Sequence, residues 1–292
     1  MQPTLPDRLM QVVQSDLRRT ETIIIGLVAT LPSRVSSLFR TVSSMALQTR
    51  SLDALVIVSD GALIPDAVED ALRRLLPSCT ITFLANHGMR GAAETWNKGI
   101  RFIKSQWSNA YVAILDDDDI WDPVHIEACE AKARLESWPD AVVSGLRMSI
   151  DEEEVLRDPL LSVSVEDFLV GNPGWQGSNT FVRLDALVDA GCFTDGLRSC
   201  NDRDLAIRLL TRKGSRVAFT GRHTATWFLD ATRQSLSSRR GEAKRAGLAR
   251  FYELHGHRMD DEIRQRFFDR ARTLFGWSES EILGTPQLVA DA

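Results

Sequence analysis

Four consecutive carboxylates, Asp116, Asp117, Asp118 and Asp119, directly follow the apolar run YVAIL at residues 111–115. Like charges this close repel one another, and each is costly to hold at the end of a buried strand. A hard divalent cation such as Mg²⁺ or Mn²⁺ would compensate these charges, and such ions usually bind together with substrate phosphates. The alternative is a solvated acidic turn that only caps the next helix.

A second candidate group is Asp202, in the stretch CNDRDLAIRLL at residues 200–210. A carboxylate near a helix N-terminus can simply favour the helix dipole, which is worth about 0.3–1 kcal/mol. It can also act as a general base that accepts the proton of an attacking hydroxyl group. The spacing leaves both interpretations open.

The loop GNPGWQGSN at residues 171–179 carries one aromatic residue, Trp175. An indole on a loop rich in Gly and Asn could stack on a sugar or another ring. It could equally fold back onto the core, and the sequence favours neither alternative.

The elements that must position these groups alternate between strand and helix. Apolar runs predict strands at residues 22–28, 54–58, 79–84 and 111–115, with helices between them that begin near residues 33, 65 and 91. Continuous apolar strands with short connections are typical of a parallel sheet covered by helices on both faces. Ligands of such sheets bind beyond the carboxyl ends of the strands, which is where the acidic run falls.

The rest of the chain is less regular. Asp122 and Pro123 are predicted to be the N-cap and first residue of a helix at 124–137, and Ser164 with Asp167 forms a capping-box pattern. Further strands are predicted at 141–144, 146–150, 180–183 and 217–229, and a short helix at 184–190. Residues 1–20 are predicted to form an arm or short helix.

Residues 236–275 predict basic amphipathic helices. One interpretation is contact with an anionic acceptor or, peripherally, with a membrane surface. The pattern favours the other, a solvated face with ion pairs. His255 and His257 are expected at the surface.

Composition excludes several classes of protein. The 292 residues carry a net charge of −5, which argues against a nucleic-acid binder, and no apolar run is long enough to cross a bilayer. No glycine-rich dinucleotide fingerprint or P-loop is present, which argues against a dehydrogenase or a P-loop NTPase. The four cysteines lack metal-ligand spacing and, together with the absence of a secretory signal, predict a cytoplasmic location.

Several stretches in order resemble the family-2 glycosyltransferases, nucleotide-sugar enzymes with a GT-A fold. They are TIIIGLVATLPSR, SLFRTVSSMALQT, LVIVSDGA, GMRGAAETWNKGI, LDDDDIWDP, GSNTFVRLDALVDAGCF and CNDRDLAIRL. The resemblance covers about residues 21–237 and implies an α/β, Rossmann-like, mostly parallel sheet flanked by helices. Residues 21–123 would form its nucleotide-sugar-binding half and 124–237 its acceptor-binding half, with 238–292 a helical C-terminal extension.

The resemblance also implies roles for individual residues. Asp118 would bind the metal and Asp202 would be the catalytic base. Donor contacts are expected at Thr30, Pro32, Arg34, Asp60, Asn97, Asp116, Asp117 and Arg233. Acceptor contacts are expected at Trp175, Asp119 and Asn201. The chain departs from the family pattern at Ser59 and Asn201, where acids are usual, and at Trp96, where Arg is commoner.

The implied reaction is inverting transfer from a nucleoside diphosphate sugar, with UDP favoured, assisted by Mn²⁺ or Mg²⁺. The acceptor would be a hydroxyl group on a small molecule, a glycan or a lipid-linked carrier. Two rivals remain: a nucleotidyltransferase that uses the same acids, and a non-catalytic nucleotide- or carbohydrate-binding relative. The sequence identifies neither the sugar, nor the acceptor, nor the oligomeric state.

Overall fold

A computed structural model describes residues 22–151, 153–229 and 238–284 of the chain. The predicted arm at residues 1–20 and the candidate donor contact Arg233 lie outside these ranges.

The first half of the chain alternates strand and helix, as predicted. Its strands are β1 (Ile23–Thr30), β2 (Ala54–Asp60), β3 (Thr80–Asn86) and β4 (Ala110–Ile114), and its helices are α1 (Val35–Ala46), α2 (Asp66–Leu75) and α3 (Ala92–Gln106). The strands are parallel and lie in the order β3-β2-β1-β4. Their carboxyl ends therefore lie along one edge of the sheet.

Both faces of this sheet are buried, which explains the continuous apolar strands. Ile25 and Val112 belong to the core on one face, and Ile24 and Tyr111 to the core on the other. Side chains alternate between the faces along a strand, so a strand that is covered on both sides needs apolar residues throughout.

The second half of the sheet is mixed. Its elements are β5 (Ile120–Trp121), α4 (His125–Leu135), β6 (Ala141–Ile150), β7 (Glu153–Val155), α5 (Val165–Val170), β8 (Thr180–Arg183), α6 (Leu184–Asp189), α7 (Asn201–Leu210) and β9 (Val217–Leu229). The order continues β4-β8-β6-β9-β5, with β7 beside β6. Strand β8 is antiparallel to both β4 and β6, while β9 is parallel to β6. The α/β class is confirmed, and the parallel pairing is concentrated in the first half.

Local predictions in this half differ in outcome. The capping box of Ser164 and Asp167 is present at α5. The N-cap prediction at Asp122 is wrong, because α4 begins at His125 and the Asp122 side chain pairs with Arg147. The two strands predicted around Gly145 form the single strand β6, whose register shifts at that glycine.

The C-terminal helices are α8 (Glu242–His255), α9 (Asp261–Arg270) and α10 (Glu279–Leu283), with a short 3₁₀ helix at Gly256–Arg258 and a π-helical segment at Ala271–Phe275. Phe251 and Phe267 lie in the same core as Leu205 of α7. The predicted solvated basic face is found in part: Arg245 pairs with Glu242, whereas Lys244 is buried. None of the helices in the described ranges has the length and apolarity needed to span a bilayer.

The surface location predicted for His255 is wrong. Its ring is buried, and Nε2 lies 2.9 Å from Asp204 Oδ1 on α7. This contact joins α8 to α7, so the C-terminal helices pack directly on the element that carries Asp202.

Candidate active site

The four carboxylates after β4 divide into two pairs by exposure. Asp117 and Asp119 are 2% and 0% exposed, whereas Asp116 and Asp118 are half-buried. Alternate residues therefore face the interior and the open edge of the sheet. Only the second pair is placed to meet a ligand from solvent.

Asp117 connects the acidic run to the loop that follows β1. Thr30 Oγ1 and Arg34 Nη1 each lie 2.6 Å from a carboxylate oxygen of Asp117. Pro32 lies in the same loop, and the Arg34 guanidinium is 3.7 Å from Asp118. Burial raises the pKa of Asp117 overall, although the hydrogen bond from Thr30 and the attraction to Arg34 partly offset this effect. The structure thus brings this predicted donor loop to the acidic run.

Asp119 is held by the opposite side of the sheet. Ser178 Oγ donates to Oδ2 at 2.5 Å and the Phe228 N–H donates to Oδ1 at 3.1 Å. Burial, followed by repulsion from Asp118, raises the pKa of Asp119 to about 8. Both oxygens are engaged inside the protein, and the acceptor contact at Asp119 stays a prediction.

Asp116 and Asp202 meet at Gly177. The Gly177 N–H donates to the Asp202 carboxylate. A Cβ atom on Gly177 would lie 3.3 Å from Asp116 Oδ1, so the missing side chain leaves room for that carboxylate. The acidic run and the candidate base therefore lie at one site, although the sequence places them on separate elements.

The charges at this meeting point interact. Burial raises the pKa of Asp116 well above its usual range, and repulsion from Asp119, Asp202 and then Asp118 raises it further. Burial also raises the pKa of Asp202 to about 6, against the stabilising effects of the Gly177 N–H and of Lys244. The site concentrates more negative charge than its own residues neutralise.

Asp60 ends β2 at the same edge of the sheet. Its carboxylate accepts hydrogen bonds from Asn86 Nδ2 at 3.2 Å and Gly91 N at 3.1 Å, and Arg90 Nε lies 3.1 Å away. Sequence reasoning missed Asn86 and Arg90. The signal for Asn86 was its position two residues after the predicted strand at 79–84.

Two residues with predicted contacts have partners inside the protein. Asn97 Nδ2 donates at 2.8 Å to Phe193 O and to Asp195 Oδ1, so its amide joins α3 to that loop, and the donor contact at Asn97 stays a prediction. Trp175 is 3% exposed, and its Nε1 donates to Thr180 Oγ1 at 2.8 Å. The core alternative for Trp175 is therefore the correct one, and its indole offers no face to an acceptor.

Asn201 is the first residue of α7 and lies next to Asp202. It is 6% exposed, and its Oδ1 has no hydrogen-bond partner among the residues that the structure describes. Buried polar atoms are nearly always paired, so this oxygen fits a position that a ligand or water completes.

Arg40 on α1 is a further residue that sequence reasoning missed. Its Nη2 donates to the Asp118 carbonyl at 2.5 Å, and the guanidinium lies 4.2 Å from the centre of the Phe228 ring. It is an exposed cation directly beside the acidic run.

The carboxylates do not form a complete metal site by themselves. Across the described ranges, no three His, Cys, Asp or Glu side chains are grouped closely enough to hold an ion. A metal at this site would therefore depend on ligands from outside the protein.

Comparisons with known proteins bear on the family and the fold of this chain. The model of glycosyl transferase family 2 matches residues 33–192. S. aureus TarS 1–349 in complex with UDP-GlcNAc is similar in structure, with a TM-score of 0.64, 12% identity, and coverage of 89% of this chain and 74% of that chain. The complex of the same protein with UDP gives a TM-score of 0.59, 12% identity, and coverage of 89% and 73%. No curated protein matches the sequence. These likenesses confirm the predicted GT-A fold.

Proposed function

This chain belongs to glycosyl transferase family 2, and we propose that it transfers a sugar from a UDP-sugar to an acceptor hydroxyl group, with inversion at the anomeric carbon. The observation that carries the proposal is the meeting of Asp116 and Asp202 at Gly177, at the carboxyl edge of the sheet. A donor bound at this edge would have a carboxylate base within the same site.

In this proposal Asp202 is the general base. It takes the proton of the acceptor hydroxyl while that oxygen forms a bond to the anomeric carbon. The bond from that carbon to the diphosphate breaks on the opposite face, and its electron pair leaves with the diphosphate. A pKa of about 6 leaves Asp202 ionised at neutral pH and still basic enough to accept the proton.

The donor would lie along the ends of β1, β2 and β4. In this proposal Asp60 binds the nucleoside, and Thr30, Pro32, Arg34 and Asp116 contact the donor on the way to the diphosphate; the position of Asp60 at the end of β2 and the contact of Arg34 with Asp117 support it. Arg233 remains a proposed donor contact outside the described residues. The UDP-GlcNAc and UDP complexes of TarS support UDP as the nucleotide.

The carboxylates fit a divalent cation held in part by the donor. Asp118 offers hard oxygen ligands, and the repulsion around Asp116 is what a cation would relieve. Mg²⁺ often uses one or two carboxylates and completes its shell with phosphate and water, so a set of three protein ligands is not required. Mn²⁺ or Mg²⁺ bound by Asp118 would neutralise charge on the departing diphosphate.

The acceptor would approach from the second half of the sheet, with Asn201 as a contact. The proposal divides the chain into a donor half at 21–123, an acceptor half at 124–237 and an extension at 238–292. It takes the acceptor to be a small molecule, a glycan or a lipid-linked carrier, and the location to be cytoplasmic.

A thermal-shift comparison tests donor binding. UDP and UDP-GlcNAc, each with and without Mn²⁺, should raise the melting temperature, because a ligand of the native state stabilises it. Asp118→Asn should remove the part that depends on Mn²⁺. Asp189→Asn is the matched control, because this carboxylate pairs with Arg212 on the surface.

Product analysis tests the reaction. Release of UDP by the wild-type protein would support the proposal. In Asp202→Asn the rate of UDP release should fall by roughly 10²–10⁴-fold while donor binding is retained. Release of pyrophosphate from UTP would support the nucleotidyltransferase instead. Donor binding without hydrolysis or transfer across an acceptor panel would favour the non-catalytic relative.

A further inference from the structure

Helix α8 of the C-terminal extension lies against the turn that begins α7. Lys244 Nζ donates to Ser199 Oγ at 3.1 Å and lies 3.9 Å from Cys200 Sγ. Lys244 is 7% exposed and Ser199 is 4% exposed, so this contact is inside the protein. A buried ammonium group is costly, and one that is retained in such a place has a specific partner or task.

Gly247, one turn further along α8, allows this close approach. A Cβ atom at Gly247 would lie 2.6 Å from Ser199 Cβ and 2.8 Å from the Ser199 backbone nitrogen. Any larger residue there would push the helix away from the turn. Lys244 and Gly247 therefore lie on the same face of α8, and this face packs against Ser199.

The turn itself holds an uncommon backbone conformation. Cys200, the residue before Asn201 and Asp202, has φ +71° in the left-handed region. A residue with a side chain is strained in that region, so its surroundings must maintain the conformation. Lys244 contacts Cys200 from one side, and Arg203 Nη1 lies 3.8 Å from its sulfur. A change in this turn would move Asp202 relative to the Gly177 N–H.

We propose that Lys244 is a positioning residue for the transfer reaction: it fixes the Ser199–Cys200 turn and, through that turn, the place of Asp202 beside the Gly177 N–H. The inference rests on the proposed role of Asp202 as the base. It makes the C-terminal extension a part of the active site.

The charges around the base support this assignment. Asp202 faces Asp116 and Lys244, and Lys244 in turn faces Cys200, Arg203, Arg270 and Asp202. Burial raises the pKa of Asp202, and Lys244 acts in the opposite direction.

Arg203 does not duplicate this role. Its Nε and Nη2 donate at 2.8 Å to the carbonyls of Phe168 and Leu169, and its guanidinium lies 4.1 Å from the Phe251 ring centre. Lys244 is therefore the cation whose hydrogen bond to Ser199 holds the turn before the base.

The test is the pH dependence of UDP release from UDP-GlcNAc, measured for the full chain from pH 5 to 8.5. The acid limb is the part of the pH profile in which kcat falls because the base becomes protonated. In Lys244→Met this limb should move to higher pH by about 0.5 pH unit or more, because the ionised base loses a nearby cation. Lys244→Arg should return the limb toward its wild-type position. Lys213→Met, at an exposed lysine beyond the far end of α7, is the matched control and should leave the limb in place.

A purely structural role would give a different result. It would lower kcat by one factor at every pH and leave the acid limb unmoved, and that outcome overturns the inference. If Lys244→Met does not fold, Ser199→Ala decides, since it removes only the hydroxyl that accepts the lysine. It should move the limb in the same direction by a smaller amount, and an unmoved limb overturns the inference again.

The two proposals fail separately. Wild-type turnover in Asp202→Asn would show that Asp202 is not the base and would contradict the proposed mechanism. If Asp202→Asn is inactive but the acid limb of the pH profile does not move in Lys244→Met, only the inference about Lys244 is overturned.

Discussion

Asp116 and Asp202 share one neighbour, Gly177, which donates its N–H to Asp202 and leaves the space of a side chain to Asp116. The carboxylates repel each other, and this repulsion contributes to the raised pKa of Asp116. Such an arrangement is unfavourable for folding alone. Side chains that lower the stability of the folded protein are expected at sites that bind a ligand or catalyse a reaction.

The first prediction concerns the stability cost of Asp202. Its pKa in the folded protein, about 6, lies above its ordinary value of 3.8, so the folded state loses stability as the pH rises through that window. Asp202→Asn removes the cost and should stabilise the protein by about 2–3 kcal/mol above pH 6.5. The gain should disappear near pH 4. Urea unfolding of both proteins across this range measures it.

Asp189→Asn is the control, because its carboxylate is exposed at the surface and pairs with Arg212. It should show no gain that grows with pH. A difference between wild type and Asp202→Asn that stays constant from pH 4 to 8 would contradict the burial of an ionised Asp202.

The second prediction concerns the space at Gly177. In Gly177→Ala the new methyl group would lie 3.3 Å from Asp116 Oδ1 and 3.5 Å from Ile114 Cγ2, which forces a small displacement of the carboxylate. We expect kcat to fall by about tenfold, because small errors in placing reacting groups are costly. The free energy of unfolding should change by less than about 1 kcal/mol.

Gly256→Ala provides similar crowding just after the C-terminal end of α8, since its methyl group would lie 3.1 Å from the Tyr252 ring. It should leave kcat unchanged. Wild-type kcat in Gly177→Ala would mean that the distance between Asp116 and Gly177 does not matter to the reaction.

The third prediction separates structure from binding at Asp119. Asp119→Ala leaves the Ser178 hydroxyl and the Phe228 N–H without an acceptor inside the protein and should cost about 2–4 kcal/mol. Asp119→Asn keeps an acceptor oxygen and should cost about 1 kcal/mol or less. Urea unfolding measures both, and acceptor KM should not change in the Asn variant. A tenfold rise in acceptor KM in Asp119→Asn without a loss of stability would support an acceptor contact at Asp119.

The sequence predicts the parallel half of the fold well, for a physical reason. Strands covered on both faces are continuously apolar, and the first polar residues after such a run mark its carboxyl end. This rule alone is enough to place Asp116 and Asp118 at the edge of the sheet. The same rule places the loop after β1 and Asp60, at the end of β2, at this edge of the sheet.

The sequence does not predict which carboxylates face solvent, because distant partners decide it. Asp117 turns inward to Arg34, and Asp119 to Ser178. Lys244 belongs to a stretch whose composition is typical of a solvated helix, yet packing against Ser199 buries it. These outcomes depend on contacts between elements far apart in the chain, which local patterns do not contain.

The last prediction follows from the burial of Trp175. Trp175→Phe keeps an aromatic ring beside Phe168, whose centre lies 5.8 Å away, but removes the hydrogen bond to Thr180. We expect a loss of about 1 kcal/mol in the free energy of unfolding, which is typical for one buried hydrogen bond. Acceptor KM and kcat should stay within about twofold of wild type, because the indole contacts the core and not the open edge of the sheet. Thr180→Val removes the same hydrogen bond from the other side together with the one from Thr180 Oγ1 to the Gln176 carbonyl, so it should cost more stability than Trp175→Phe while leaving acceptor KM and kcat within the same range. A large rise in acceptor KM for Trp175→Phe alone would mean that the loop opens during the reaction and exposes this side chain to the acceptor.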